Sequence, residues 1–352
     1  MKKILFTGGG SAGHTVPNMA LIEDILADGF ADVCYIGTNG IEKSLIAKLK
    51  IPFYEISCPK LIRGGGVSAF MKNLTIPTHF FRAVRQAKKG LKLFAPDLVF
   101  SKGGFVALPV VVACKSLKIP CYAHESDFSA GLANKLSARY CKKIFTSFPE
   151  TAQTLKNGVY SGAPMRKSLL STNKQQARQK WNVPQNAKVV LIFGGGSGSA
   201  VLNNAVRASL KTLTEKYVIL HACGKGNLVQ SNIKNYRQFE YIDKMDEAYA
   251  CADLVVSRAG SGTVFELMAL KKPALFIPLS QQTRGDQQEN AEYFAKKRLC
   301  KVLSQDDLAL LAQKIDETFQ DETLKRNLRA CDFAPANAFI LSQMKNQFAL
   351  TK

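Results

Sequence analysis

The sequence has no apolar run long enough to cross a membrane. Its longest such run, residues 105–114, contains Pro109 and is about ten residues long, whereas a spanning helix needs roughly 18 or more. The first residues place two lysines before a short apolar stretch that ends in glycines, so no signal peptide is expected. We therefore expect a cytoplasmic protein.

Motifs for metals and resident cofactors are also missing. The nine cysteines form no CxxC pair and lie mostly in apolar runs, which is typical of small core residues in a reducing compartment. No acidic DxD cluster is present to hold a divalent cation. We expect neither a metal nor a cofactor, and the glycine spacing disfavours a P-loop NTPase.

Acidic residues are scarce, with 27 Asp and Glu against 48 Lys and Arg and a net charge of +21. This balance indicates an anionic partner or surface. Residues 56–96 contain no acidic residue, and basic and apolar side chains alternate over residues 60–92. The mixture suits peripheral contact with anionic lipids, although a helix with a buried apolar face would also explain it. Nucleic-acid binding is not expected, because no recognition motif accompanies the charge.

The 352 residues are long for a single core and predict two domains. Each half opens with an apolar run, a glycine-rich turn and a helical pattern, and VLIFGGGSGS in the second half echoes ILFTGGGSAG in the first. We predict an α/β fold of two doubly wound, Rossmann-like domains facing each other. Predicted strands include residues 3–7, 97–100, 119–123, 188–193, 217–223 and 239–242, with a polar linker at 171–186.

Residues 253–294 predict a strand, a glycine-rich turn, a helix, a second strand and a polar loop. Backbone amides at the helix start, residues 260–263, suit a diphosphate. Glu266 lies about one turn further on, where its carboxylate can accept bonds from two sugar hydroxyls; a Glu on a solvated helix face is the alternative. The glutamine-rich loop that follows favours a hydroxyl-rich ligand.

His14 lies between the first glycine-rich turn and a helix start. A lone loop histidine is more often structural than catalytic, but this one follows the first strand, and histidine is a residue type suited to general-base work near neutral pH. Three strand ends place His14, residues 102–104 and residues 124–127 along one rim. A dinucleotide oxidoreductase would need an acidic residue after the second strand, and residues 37–39 supply none.

Several separated blocks resemble, in order, those of the MurG family of glycosyltransferases, which act in peptidoglycan synthesis and have the glycosyltransferase-B fold. The blocks are GGGSAGHTVPN, SKGGFVALP, HESDFSAGLANK, SGAPMR, YIDKM and the stretch from residue 253 to residue 294. Many members carry Asn where this chain has Asp127. The resemblance spans nearly the whole chain.

The resemblance implies an inverting transfer of N-acetylglucosamine from UDP-N-acetylglucosamine to the C4 hydroxyl of the muramoyl sugar of lipid I, an undecaprenyl-diphosphate lipid. A relative that glycosylates diacylglycerol or another lipid acceptor is the alternative. The acceptor and membrane domain would span residues 1–163 with a final helix at 336–352, and the UDP-sugar domain residues 164–335. Such a protein would work peripherally at the cytoplasmic face of the cell membrane.

The resemblance also implies roles for individual residues. His14 would be the catalytic base, with Asp127 as the second candidate. The donor would be bound by Ser11, Ala12, Gly13, Arg166, Ser197, Ile242, Gly260, Ser261, Gly262, Thr263, Glu266 and Gln287. The acceptor and its diphosphate would be bound by Gly9, Gly10, Gly103, Gly104, His124 and Glu125.

Overall fold

The computed structural model describes residues 1–58, 76–279 and 285–350. The chain forms two compact units, one of Met1–Arg166 with Pro335–Lys352 and one of Lys167–Ala334. Residues 60–75 of the predicted membrane surface lie outside the described residues, as do residues 280–284 of the glutamine-rich loop.

Unit 1 contains a seven-stranded sheet in the order β3-β2-β1-β4-β5-β6-β7, with every neighbouring pair parallel. The strands are β1 Lys2–Thr7, β2 Ala31–Gly37, β3 Phe53–Glu55, β4 Leu98–Ser101, β5 Cys121–Glu125, β6 Lys143–Thr146 and β7 Gly158–Tyr160. The helices are α1 Ala12–Asp28, α2 Ile41–Ala47, α3 Ile76–Phe94, α4 Ala107–Leu117, α5 Leu132–Ser137 and α6 Pro149–Thr154, with a final helix at Asn337–Ala349 and a short 3₁₀ helix at Ala138–Tyr140. The central strands are apolar and buried, as parallel strands covered on both faces must be.

Two apolar clusters form the core of unit 1. One joins α3 and α4 to the sheet through residues such as Val84, Leu91 and Val110. The other joins α1 to the sheet and includes Ile340 and Met344 of the final helix. The last helix of the chain therefore belongs to the core of the first unit.

The two places where the chain passes between units are bonded to each other. The amide of Met165 donates to Asn337 Oδ1 at 3.0 Å, and Asn337 Nδ2 donates to Asp24 Oδ2 at 2.8 Å. The amide of Ala336 donates to the carbonyl of Ala163 at 3.0 Å. These bonds bind the start of the final helix to α1 and to the end of the first segment.

Unit 2 contains a six-stranded parallel sheet in the order β10-β9-β8-β11-β12-β13. The strands are β8 Val189–Phe193, β9 Val218–Ala222, β10 Tyr236–Phe239, β11 Leu254–Ser257, β12 Ala274–Phe276 and β13 Lys301–Val302. The helices are α7 Ser168–Ser171, α8 Lys174–Lys180, α9 Ala200–Ala208, α10 Leu210–Thr214, α11 Met245–Cys251, α12 Ser261–Ala269, α13 Asp286–Lys296, α14 Leu311–Gln320 and α15 Glu322–Ala330, with a 3₁₀ helix at Gln305–Leu310. Two parallel doubly wound sheets confirm the predicted fold class.

Two local predictions differ from the structure. The polar linker predicted at residues 171–186 contains a helix, since α8 forms within it after the capping side chain of Asn173 and buries Ala177. The strand predicted at 239–242 ends at Phe239, because its neighbour β9 ends at the paired residue Ala222 and leaves nothing further to pair with.

An ion pair between a buried arginine and a partly exposed aspartate fixes α8 to the sheet of unit 2. Arg178 is 2% exposed and donates to Asp253 Oδ2 at 2.7 Å. Asp253 also accepts from the amide of Val189 at 2.8 Å and from Lys174 at 2.6 Å. Burial raises the pKa of Asp253, but the bonds from Lys174 and Val189 outweigh it and hold that pKa below its usual value.

We expect Asp253→Asn to lower the free energy of unfolding of unit 2 by about 3–5 kcal/mol, because it leaves Arg178 buried without its counter-charge. Glu322→Gln is the control, since Glu322 pairs with Lys325 at the surface, where water screens the pair and its loss should change the stability little. Urea unfolding followed by circular dichroism measures both. Equal effects of the two substitutions would contradict the assignment.

Candidate active site

Two glycine-rich loops meet at the carboxyl edge of the sheet of unit 1. Thr7 of β1 pairs with Ser101 of β4, so the loops that follow these strands are neighbours. A Cβ on Gly104 would lie 2.5 Å from the carbonyl oxygen of Gly9 and 3.0 Å from Cδ2 of His14. The structure thus brings His14 and both predicted glycine loops into contact.

Glu42 holds the first of these loops from the start of α2. Its carboxylate is fully buried and accepts from the amide of Gly10 at 3.2 Å, from the amide of Thr38 at 3.0 Å and from the Thr38 hydroxyl. A Cβ on Gly9 would lie 2.5 Å from Glu42 Oε1. A larger residue at position 9 would therefore have to displace this carboxylate from its hydrogen bonds.

The loop after β5 is shaped by Glu125. Its carboxylate accepts from the amides of Asp127 and Gly131, at 3.0 and 2.7 Å, and from Asn134 Nδ2 at 2.9 Å. A Cβ on Gly103 would lie 2.9 Å from the same Asn134 nitrogen. Contacts thus run from the second glycine loop to the turn that carries Asp127. Because Glu125 is buried and fully occupied, it positions this turn, while Asp127 is only half-buried.

Lys102 and His124 are buried beneath this rim. Lys102 Nζ donates to Ser126 Oγ, and burial lowers the pKa of Lys102 to about 8, against the opposing charges of Glu125 and Asp127. His124 Nε2 bonds to the carbonyl of Gly162 at 3.0 Å. Burial, together with the charge of Lys102, holds the pKa of His124 well below its usual value, so this imidazole is neutral.

In unit 2 the loop after β8 packs against the turn after β9. A Cβ on Gly198 would lie 2.0 Å from the carbonyl oxygen of Cys223, and one on Gly224 would lie 2.5 Å from that of Ser197. Gly195, Gly198 and Gly224 all have positive φ. This tight packing leaves Ser197 exposed at the tip of the loop.

The helix start predicted to hold a diphosphate lies beside that loop, because β11 pairs with β8 from Leu254↔Val190 to Ser257↔Phe193. Helix α12 begins at Ser261 with Gly260 as its N-cap residue. Further along α12, Glu266 Oε2 accepts from the Tyr249 hydroxyl at 3.1 Å.

The remaining predicted donor residues follow other strand ends. Gln287 lies in the first turn of α13 and accepts from the amide of Leu279 at 3.1 Å. Ile242 is buried just beyond β10. Arg166 is the last residue of unit 1, and its charge acts on Glu23 of α1. The structure therefore groups Arg166 with the first unit and the other two with the second.

Comparisons with known proteins decide the family. Residues 4–146 match the glycosyltransferase family 28 N-terminal domain, and residues 189–339 match the glycosyltransferase family 28 C-terminal domain. Curated relatives include a Clostridium perfringens protein, 44% identical over 87% of this chain and 86% of its own length, and a Clostridium tetani protein, 41% identical over 94% of each. The chain belongs to glycosyltransferase family 28.

Both curated relatives are named UDP-N-acetylglucosamine–N-acetylmuramyl-(pentapeptide) pyrophosphoryl-undecaprenol N-acetylglucosamine transferase. Among solved structures, Acinetobacter baumannii MurG aligns with a TM-score of 0.74 and 25% identity, covering 98% of this chain and 100% of that one. Membership of family 28 makes the protein a glycosyltransferase, and it confirms the resemblance drawn from the sequence blocks.

Two buried charged residues of this family 28 chain, Glu42 and Arg258, were not predicted as site residues. Lys102 was predicted to lie on the rim, but the burial of its side chain was not predicted. Glu42 accepts from an amide 32 residues away, and Lys102 donates to a hydroxyl 24 residues away. The blocks at 101–109 and 253–294 contain Lys102 and Arg258, but no spacing indicates that their side chains turn inward.

We expect Gly104→Ala to lower the free energy of unfolding of unit 1 by about 2–5 kcal/mol, since φ is +79° there and the new Cβ meets the carbonyl of Gly9. Gly29→Ala is the matched control: φ is +63° but the space is open, so only the backbone cost of about 1–2 kcal/mol applies. Urea unfolding compares them. Equal losses would show that the loops do not pack as described.

The lowered pKa of Lys102 predicts that the free energy of unfolding of unit 1 depends on pH. Between about pH 8 and 10.5 the unfolded chain binds a proton that folded Lys102 has lost, so stability rises with pH; below pH 8 both states are charged. Across this window the free energy of unfolding of the wild type, relative to that of Lys102→Met, should therefore rise by about 1 kcal/mol per pH unit. Urea unfolding at pH 8.5 and 9.5 tests this, and a difference that does not change with pH would refute it.

Proposed function

We propose that this transferase moves N-acetylglucosamine from UDP-N-acetylglucosamine to the C4 hydroxyl of the muramoyl sugar of an undecaprenyl-diphosphate-linked acceptor, lipid I. The observation that supports the proposal is the packing of His14 against both glycine loops of unit 1, since a histidine there could act as a general base beside an anion held by these loops. The names of the curated relatives, at 41–44% identity over most of the chain, support the substrates.

Unit 2 supplies the donor site in this proposal. The backbone amides at the start of α12, together with Ser197, would bind the diphosphate. The backbone at Ile242 would contact the uracil, and Glu266 would accept bonds from hydroxyls of the ligand. The Tyr249 hydroxyl bonded to Glu266 would orient that carboxylate, and Gln287 would reach the sugar.

Unit 1 supplies the acceptor site. The lipid diphosphate would lie on the glycine loops at residues 8–10 and 103–104, with the buried charge of Lys102 beneath them. This charge favours a diphosphate-linked acceptor over a neutral one such as diacylglycerol. His14 is our first candidate for the base, and Asp127, held in place through Glu125, is the second.

The reaction is a single displacement. The base takes the proton from the acceptor hydroxyl as its oxygen attacks the anomeric carbon of the donor sugar. The bond from that carbon to the β-phosphate oxygen breaks, and UDP departs with the electron pair. Because the nucleophile enters opposite the leaving group, the anomeric configuration inverts. Preorganised amide donors at the developing charge are among the strongest contributions to such a rate.

We further propose that α3 contacts an anionic membrane at the cytoplasmic face, as a peripheral attachment. Its inner face buries Val84, Ala87 and Leu91, while Phe81 and Leu93 are 67% and 64% exposed. Most of its basic side chains are also exposed: Arg82, Arg85, Lys89 and Lys92. Each such cation contributes about 1 kcal/mol near an anionic surface. No described helix is long and apolar enough to span a membrane.

The proposal predicts UDP release by the purified protein when UDP-N-acetylglucosamine and a short-chain lipid I analogue are both present. His14→Ala should lower kcat by about 100-fold or more, as expected for loss of a general base, and Glu266→Ala should weaken donor use. His79→Ala is the matched control, because His79 is exposed on α3. Turnover should resist EDTA, in line with the missing DxD motif.

Asp127→Asn separates the two candidate bases. If His14 is the base, the Asn variant should keep most of its activity while His14→Ala loses it; the reverse pattern would assign the proton transfer to Asp127. Turnover with diacylglycerol but not with the lipid I analogue would overturn the acceptor assignment while leaving the fold and donor site intact.

A further inference from the structure

Arg258 is a buried cation at the carboxyl edge of the sheet of unit 2. It is 7% exposed and follows directly after β11. Its Nη1 donates to the carbonyls of Ile277 and Pro278, at 2.9 and 3.0 Å, and its Nη2 donates to Ser199 Oγ at 2.7 Å. The guanidinium therefore ties together the ends of three strands, β8, β11 and β12.

No carboxylate in the described part of the chain pairs with this charge. Among the described residues none forms an ion pair with Arg258, and its Nε is buried without a hydrogen-bond partner. The residues outside the description, 59–75, 280–284 and 351–352, contain no Asp or Glu. Burial lowers the pKa of this guanidinium, with no acidic neighbour to oppose the shift.

The other deeply buried arginine of unit 2 shows the usual arrangement. Arg178 has a carboxylate partner, Asp253, at 2.7 Å and donates in addition to the carbonyls of Cys251 and Ala187. A buried charge without such a partner is costly to the fold. Its persistence at Arg258 calls for a counter-charge that the residues seen in the structure do not supply.

The position of Arg258 indicates what kind of anion would balance its charge. Ser199, which it contacts, is the N-cap of α9 and ends the glycine loop that carries Ser197. Two residues after Arg258, Gly260 caps α12. Both helix starts offer backbone amides to an anion, so the cation lies between two anion-binding turns.

We propose that Arg258 is the counter-charge for the diphosphate of the nucleotide-sugar donor and for the UDP that leaves. The inference rests on the proposed function, since it deepens the donor site assigned there. The guanidinium contacts the first turn through Ser199, while the backbone of Arg258 leads into the second turn at Gly260, and the charge would lie under the phosphates. As the bond to the sugar breaks, the added negative charge on the β-phosphate oxygen develops next to this fixed cation in a buried setting, where screening by water is weak.

The inference is tested by measuring the affinities for uridine, UMP and UDP by isothermal titration calorimetry, with no acceptor present. For the wild type, affinity should rise as phosphates are added. Arg258→Gln should lower the affinity for UDP by about tenfold or more and that for uridine by less than about twofold. Arg258→Lys keeps a charge but loses the planar guanidinium, so its loss of UDP affinity should be intermediate. Arg178→Lys is the matched control, expected to lower stability and to leave the phosphate dependence unchanged.

The three affinities show whether Arg258 acts on the phosphates or only on the fold. Equal weakening of all three ligands by both Arg258 variants would make the residue purely structural and overturn the inference, as would unchanged UDP affinity. If Arg258→Gln does not fold, Arg258→Lys carries the same comparison. A wild type that binds neither uridine nor UDP would instead overturn the donor site of the proposed function, whereas normal uridine binding with lost phosphate discrimination supports both.

Discussion

Parallel pairing of two central strands is the constraint on which both units depend. In unit 1 β1 pairs with β4, and in unit 2 β8 pairs with β11, each in a register that ends both strands at the same level. The loops that follow therefore emerge side by side. Because parallel strands are buried on both faces, polar chemistry is confined to this edge, and glycine is required where the loops touch.

The strands and glycine loops were predictable because their signals are local. An apolar run followed by glycines marks a buried strand and a tight turn within a dozen residues, and this pattern occurs at residues 3–10 and 189–198. Helix α8 was missed, since its sequence is polar and the carboxylate that pairs with its buried Arg178 lies 75 residues away.

The supporting charges of the site could not be predicted for the same physical reason. Arg258 bonds to a hydroxyl 59 residues away, and Glu42 to an amide 32 residues away. Whether such a side chain is solvated or buried depends on packing that no spacing reports. His124 and Glu125 are the opposite case. The sequence predicts both on the rim, but in the structure both side chains are buried and bond to Gly162 and Asn134.

These buried charges divide into two kinds with different consequences. Arg178 is neutralised within the fold, so its role is stability. Lys102 and Arg258 are buried next to glycine-rich turns, and one of them lies in each unit. We propose that each unit binds a diphosphate with the help of a buried cation beneath its glycine loop. In unit 1 this would be the diphosphate of the acceptor, and in unit 2 that of the donor.

The anomeric configuration of the product tests the central claim, a direct displacement by an acceptor hydroxyl that a base of unit 1 activates. Nuclear magnetic resonance of the disaccharide formed from UDP-N-acetylglucosamine and a lipid I analogue reads both the linkage and the configuration. The account predicts a β-linked sugar on the C4 oxygen, inverted relative to the donor. An α-linked product would contradict it, because retention requires a different course of reaction.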